Sequence, residues 1–99
     1  MLAGLAFMAA DVAAGTTHGV TIEGMQFNPP SVTVERGDTV VWENKDLVAH
    51  TATAAGVFDS HEIAPGASWT YVANTPGRHA YICTFHPTMK ATLTVKGKR

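Results

Sequence analysis

Apolar and polar residues alternate over short stretches along most of this chain. Val32 and Val34 alternate with Ser31, Thr33 and Glu35, and Val40 and Trp42 with Thr39, Val41 and Glu43. Trp69, Tyr71 and Ala73 alternate with Ser68, Thr70 and Val72, and Ala91, Leu93 and Val95 with Thr92 and Thr94. A period of two puts successive side chains on opposite faces of a strand, so each stretch predicts a strand with one buried face. Turn-forming residues separate the stretches: Asn28-Pro29-Pro30, Arg36-Gly37-Asp38, Ala55-Gly56, Pro65-Gly66 and Thr75-Pro76-Gly77. Seven or eight short strands with such punctuation predict an all-β sandwich or barrel.

One segment breaks parity. Val20 and Ile22 share one phase, Met25 and Phe27 the other, with Gly24 between them. A bulge or bend at Gly24 is predicted to return all four to the core side. Trp42 and Trp69 fall on core parity. His79 shares parity with Tyr81 and Cys83 and is placed partly buried among core aromatics, whereas His18 and His61 read as surface residues.

Length and charge narrow the picture. Ninety-nine residues make a single domain, 1–99. The net charge of −1 argues against a broadly basic nucleic-acid surface. No stretch reaches the roughly 18–20 apolar residues of a membrane-spanning helix. Residues 1–14 are rich in Ala, Leu, Met and Phe, a short apolar run without the basic flank of a signal peptide. Residues 1–15 are read as an N-terminal extension or a residual leader. The single cysteine, Cys83, excludes an intramolecular disulfide, a multi-cysteine zinc site and a Cys-x-x-Cys-His haem attachment.

The chemistry concentrates in Cys83-Thr84-Phe85-His86-Pro87-Thr88-Met89, read as a loop between strands Arg78–Ile82 and Lys90–Val95. It carries a thiolate, an imidazole and a thioether at intervals of three, and His50 supplies a second imidazole 33 residues upstream. Two His, one Cys and a weak axial Met form the donor set of a blue-copper electron-transfer site. Thiolate and thioether favour Cu(I), imidazole serves both oxidation states, and no carboxylate is expected at the site to draw in hard ions. His50, Cys83, His86 and Met89 are the predicted metal ligands. Pro87 holds His86 extended and stiffens the turn. A cysteine-nucleophile enzyme would need an orienting residue and an oxyanion site, for which no motif exists, so the chain is read as non-enzymatic. A copper carrier or store delivering metal to another protein remains the alternative to electron transfer, and a metal-free adhesion-type sandwich is a further reading.

The Cys83-x2-His86-x2-Met89 spacing resembles the short ligand loop of the cupredoxins, and of their amicyanin-type members above all. Arg36-Gly37-Asp38-Thr39-Val40-Val41-Trp42 is similar to the family's Gly-Asp-x-Val-x-Trp strand, and residues 7–15 resemble the Ala-rich extension of the amicyanin group. That favours an extra mature strand over a leader for the N-terminus. The resemblance implies a Greek-key sandwich of about eight strands holding one type 1 copper, a monomer in the periplasm that carries single electrons. It also implies redox-protein partners, a donor such as an amine dehydrogenase and an acceptor such as a c-type cytochrome. These would dock near His86 over an apolar patch for which Met25, Pro29, Pro30, Phe85 and Pro87 are candidates. Two positions depart from the group: Thr51 stands where Asn is usual, and Phe85 where Pro is usual. Thr51 still offers a hydroxyl across the site, and Phe85 restores a backbone N–H near the sulfur.

Overall fold

A computed structural model describes residues 15–97 of the chain. The expectations for residues 1–14 lie outside the described residues. Among those described, nine strands follow one another: β1 (Thr17–Ile22), β2 (Phe27–Asn28), β3 (Ser31–Glu35), β4 (Thr39–Asn44), β5 (Thr53–Ala54), β6 (Phe58–Asp59), β7 (Ser68–Val72), β8 (Gly77–Cys83) and β9 (His86–Lys96). They form two mixed sheets, β2-β1-β4-β7 and β3-β9-β8-β5-β6. The pairs β1–β4 and β3–β9 are parallel and the other pairs antiparallel. The chain passes repeatedly between the sheets, as a β-sandwich requires. No helix of the described residues is long and apolar enough to cross a membrane.

The alternating residues meet between the sheets. Val20, Ile22, Val34, Val40, Trp42, Ala73, Ala91, Leu93 and Val95 are buried, while Val32, Trp69 and Tyr71 pack half-buried against them. Trp42 lies at the centre, its ring 5.5 Å from those of Phe58, Trp69 and Tyr81. Its indole N–H donates to the Tyr81 hydroxyl at 3.2 Å, so the buried polar atom is satisfied. Burial pushes the Tyr81 hydroxyl up to about 12, with the Trp42 bond a smaller opposing effect.

Three sequence expectations change. Met25 does not reach the core: it is 42% exposed, while Phe27 is buried as predicted. Gly24 and Met25 both take positive φ, 66° and 60°, which reverses the chain instead of bulging it inward. Second, the ligand loop is a two-residue turn, Thr84-Phe85, because Cys83 pairs directly with His86 across it. The next pair is Ile82 with Lys90, so Pro87, Thr88 and Met89 bulge from β9. Proline has no N–H for the ladder, so pairing fails at Pro87 and resumes beyond Met89. Third, His18 is half-buried rather than superficial, and its Nε2–H donates to buried Asp38 at 3.0 Å. His79 is half-buried as expected and donates to the Thr75 carbonyl at 2.8 Å. His61 is exposed.

Candidate metal centre

Cys83 closes β8 on the same face as Tyr81, and both are buried. The two-residue turn swings His86 back beside it, with His86 Nδ1 3.7 Å from Cys83 Sγ. His50 arrives from the segment that joins β4 to β5. Its backbone is held at both ends by Ile63: His50 N–H donates to the Ile63 carbonyl at 3.2 Å, and Ile63 N–H to the His50 carbonyl at 2.7 Å. The His50 ring is fully buried and Nδ1 lies 3.5 Å from the sulfur. One ligand atom from each of His50, Cys83 and His86 lies within 4.8 Å of the others. Met89, three residues beyond His86, is 5% exposed. It lines a cleft of about 330 Å³ between the 25–28 turn and β9.

Two further groups hold this cluster. Asp46 Oδ2 accepts from His50 Nε2–H at 2.8 Å, which places the ring proton on Nε2 and leaves the Nδ1 lone pair facing the sulfur. The same carboxylate accepts from the amides of Gly24 (2.8 Å) and Met25 (3.0 Å), tying the left-handed turn to the histidine. Thr51 N–H donates to Cys83 Sγ at 3.4 Å, and Thr51 Oγ1 accepts from Thr84 N–H at 2.9 Å. The hydroxyl bridges the two ligand-bearing segments as expected. The amide set against the sulfur is that of Thr51, where the sequence pointed to Phe85.

The family model of the cupredoxin-like domain matches residues 1–95. The chain belongs to the cupredoxin family. It is similar to amicyanin-alpha of Methylorubrum extorquens, 33% identical over 89 residues that cover 84% of this chain and 74% of that one. A plastocyanin of Scenedesmus fuscus is 31% identical over 96 residues, covering 79% of this cupredoxin and 94% of the plastocyanin. The solved Cu(I) form of an amicyanin variant superposes with a TM-score of 0.76 at 30% identity, covering 91% of this cupredoxin and 90% of that chain.

Cupredoxins transfer electrons through one type 1 copper. The donors in this cupredoxin fit such an ion: one buried sulfur and two imidazole nitrogens converge, a soft-to-intermediate set. A carboxylate does stand at the site, against the sequence expectation. It binds the far nitrogen of His50, so its role is to orient a ligand, not to add a hard donor.

Sequence reasoning missed Asp46 because its partners Gly24 and Met25 lie 22 and 21 residues away. The turn-forming run Asn44-Lys45-Asp46 before His50 was the one available signal. It also missed Leu47, 94% exposed, and Val48, exposed as well, which lie three and two residues before His50. Pro29, Pro30 and Pro87 are exposed, as the patch expectation requires, and His86 is half-buried.

Burial of the Asp46 carboxyl works to raise its pKa. The amide bonds from Met25 and Gly24, with the bond and charge of His50, outweigh that and hold it below the usual carboxylate value. A carboxyl with a lowered folded pKa stabilises the fold fully above its unfolded value near 3.9, and that contribution is lost as pH falls through the folded value. Chemical denaturation of the metal-free protein should therefore show stability falling below about pH 4. Asp46→Asn should flatten that fall; an identical slope in the variant would remove Asp46 as its source.

Proposed function

We propose that this cupredoxin is a periplasmic one-electron carrier whose copper ligands are His50, Cys83, His86 and Met89. The observation carrying the reading is Cys83 Sγ lying 3.5 Å and 3.7 Å from the Nδ1 atoms of His50 and His86. Met89 joins the set through its spacing and its burial beside the turn. Copper bound there supplies Cu(II)/Cu(I) cycling, the transfer of a single electron.

The chain's part is to hold the donors still. His50 is restrained by Ile63 through its backbone and by Asp46 through its ring, and Cys83 is restrained by its strand and the Thr51 amide. A cage so restrained presents nearly the same geometry to either oxidation state, which keeps reorganisation small. Half-buried His86 gives the electron its way out. Exposed Phe85, Pro87, Met25 and Val48 provide an apolar surface on which a redox partner excludes water. The similarity to amicyanins supports a donor such as an amine dehydrogenase and an acceptor such as a c-type cytochrome.

Electrochemical cycling of the copper-loaded protein in the presence of a competing Cu(I) chelator tests the reading. Fast, reversible one-electron waves with one copper retained per chain are expected. Quantitative loss of Cu(I) to the chelator on the first reduction would favour a metal-delivery protein instead.

A further inference from the structure

A chain of hydroxyl groups leads from the metal centre to the protein surface. Thr84 Oγ1 and Thr51 Oγ1 are 3.2 Å apart, Thr51 Oγ1 and Thr53 Oγ1 2.9 Å, and Thr53 Oγ1 and Asp59 Oδ1 3.1 Å. Thr51 is buried, Thr53 half-buried, and Asp59 exposed at the paired end of β5–β6.

The chemistry of the end group gives the chain a direction. An ionised carboxylate accepts and cannot donate, so the Thr53 hydroxyl hydrogen goes to Asp59. That hydroxyl has no second hydrogen, so Thr51 donates to Thr53. The hydrogen of Thr51 is then committed away from the metal centre, and its oxygen presents lone pairs to Thr84. There it accepts from Thr84 N–H at 2.9 Å and from the Thr84 hydroxyl. Thr51 follows His50, Thr84 follows Cys83, and Thr51 N–H meets the sulfur. One oriented oxygen therefore ties the two ligand-bearing segments together. A hydroxyl without a committed hydrogen could donate to Thr84 Oγ1 and weaken its hold on the amide.

We propose that Asp59, acting through Thr53, is a positioning residue for the metal centre that orients the Thr51 hydroxyl across the two ligand segments. The proposal deepens the copper reading and rests on it for the redox consequence, but the hydrogen-bond chain belongs to the protein without metal. Asp59 also accepts from the His61 amide at 2.8 Å, so removing it disturbs a second contact. Thr53→Val interrupts the chain while leaving that contact, and Thr53→Ser restores a hydroxyl.

The test is amide hydrogen exchange of the metal-free protein by NMR, with the core amide of Leu93 as internal reference. Thr53→Val and Asp59→Ala should each speed exchange at Thr84 about five- to tenfold relative to Leu93. The double variant should do no more than either alone, and Thr53→Ser should match the parent. In the copper-loaded variants the reduction potential should fall, because a less firmly held Thr51 amide stabilises the thiolate's negative charge less. Unchanged Thr84 exchange and unchanged potential in folded Thr53→Val would overturn the proposal while leaving the copper reading intact. A parent protein that fails to form a blue copper complex would sink the copper reading, and the exchange data would still decide the hydroxyl chain.

Discussion

Cys83→Ser is expected to give a folded protein that no longer forms a coloured copper complex. Cys83 is fully buried at the end of β8, and oxygen for sulfur changes its volume little, so circular dichroism should be unaltered. The donor chemistry changes completely. A thiolate is soft and readily oxidised, and its charge transfer to Cu(II) supplies the intense visible band; a serine hydroxyl is hard and stays protonated at neutral pH. The remaining histidines would still bind Cu(II), but more weakly by over the 10–100-fold typical of losing an outer-shell partner. A chelator competition titration reads the affinity, and the spectrum reads the band. A variant as blue as the parent would mean that the sulfur is not a ligand.

The largest stability effect connected with the site is expected at Asn44. This side chain is fully buried at the end of β4. Its amide donates to the Val48 and Ile63 carbonyls, each at 2.9 Å, and its carbonyl accepts from Asp46 N–H at 2.9 Å. Asn44 thus holds the 45–49 segment that delivers His50, together with the Ile63 backbone to which His50 is bridged. Asn44→Ala removes three bonds and a buried volume, and should cost about 2–4 kcal/mol. Asn44→Asp is the sharper variant. A carboxylate of the same shape cannot donate to two carbonyls, so it should be no better than alanine and should also loosen His50. Urea denaturation checks both; an Asp variant within 1 kcal/mol of the parent would show that the amide donors do not hold the segment.

Alternation made the sandwich legible because strand parity is a local property. Val40 and Trp42, or Leu93 and Val95, face inward whatever the rest of the chain does. Part of the candidate metal centre was legible for a related reason: Cys83 and His86 lie close in sequence, and a thiolate beside an imidazole selects for copper with little help from the fold. Contacts made at a distance were not legible. Met25 turns outward because the left-handed 24–25 pair is bound by a carboxylate from another loop. The turn is two residues long because β8 and β9 stay paired up to Cys83 and His86, a register that no local pattern displays. Thr51 stands out in the sequence as a departure from the family's usual asparagine. Its continuation through Thr53 to Asp59 depends on β5–β6 pairing, which needs the folded hairpin.

One sulfur and two imidazoles are expected to close on a single copper ion. Combined visible absorption and electron paramagnetic resonance of the protein loaded with one equivalent of Cu(II) tests it most directly. An intense visible charge-transfer band with a compressed copper hyperfine splitting is the predicted result. A pale solution with the wide splitting of ordinary nitrogen- and oxygen-ligated copper would contradict it.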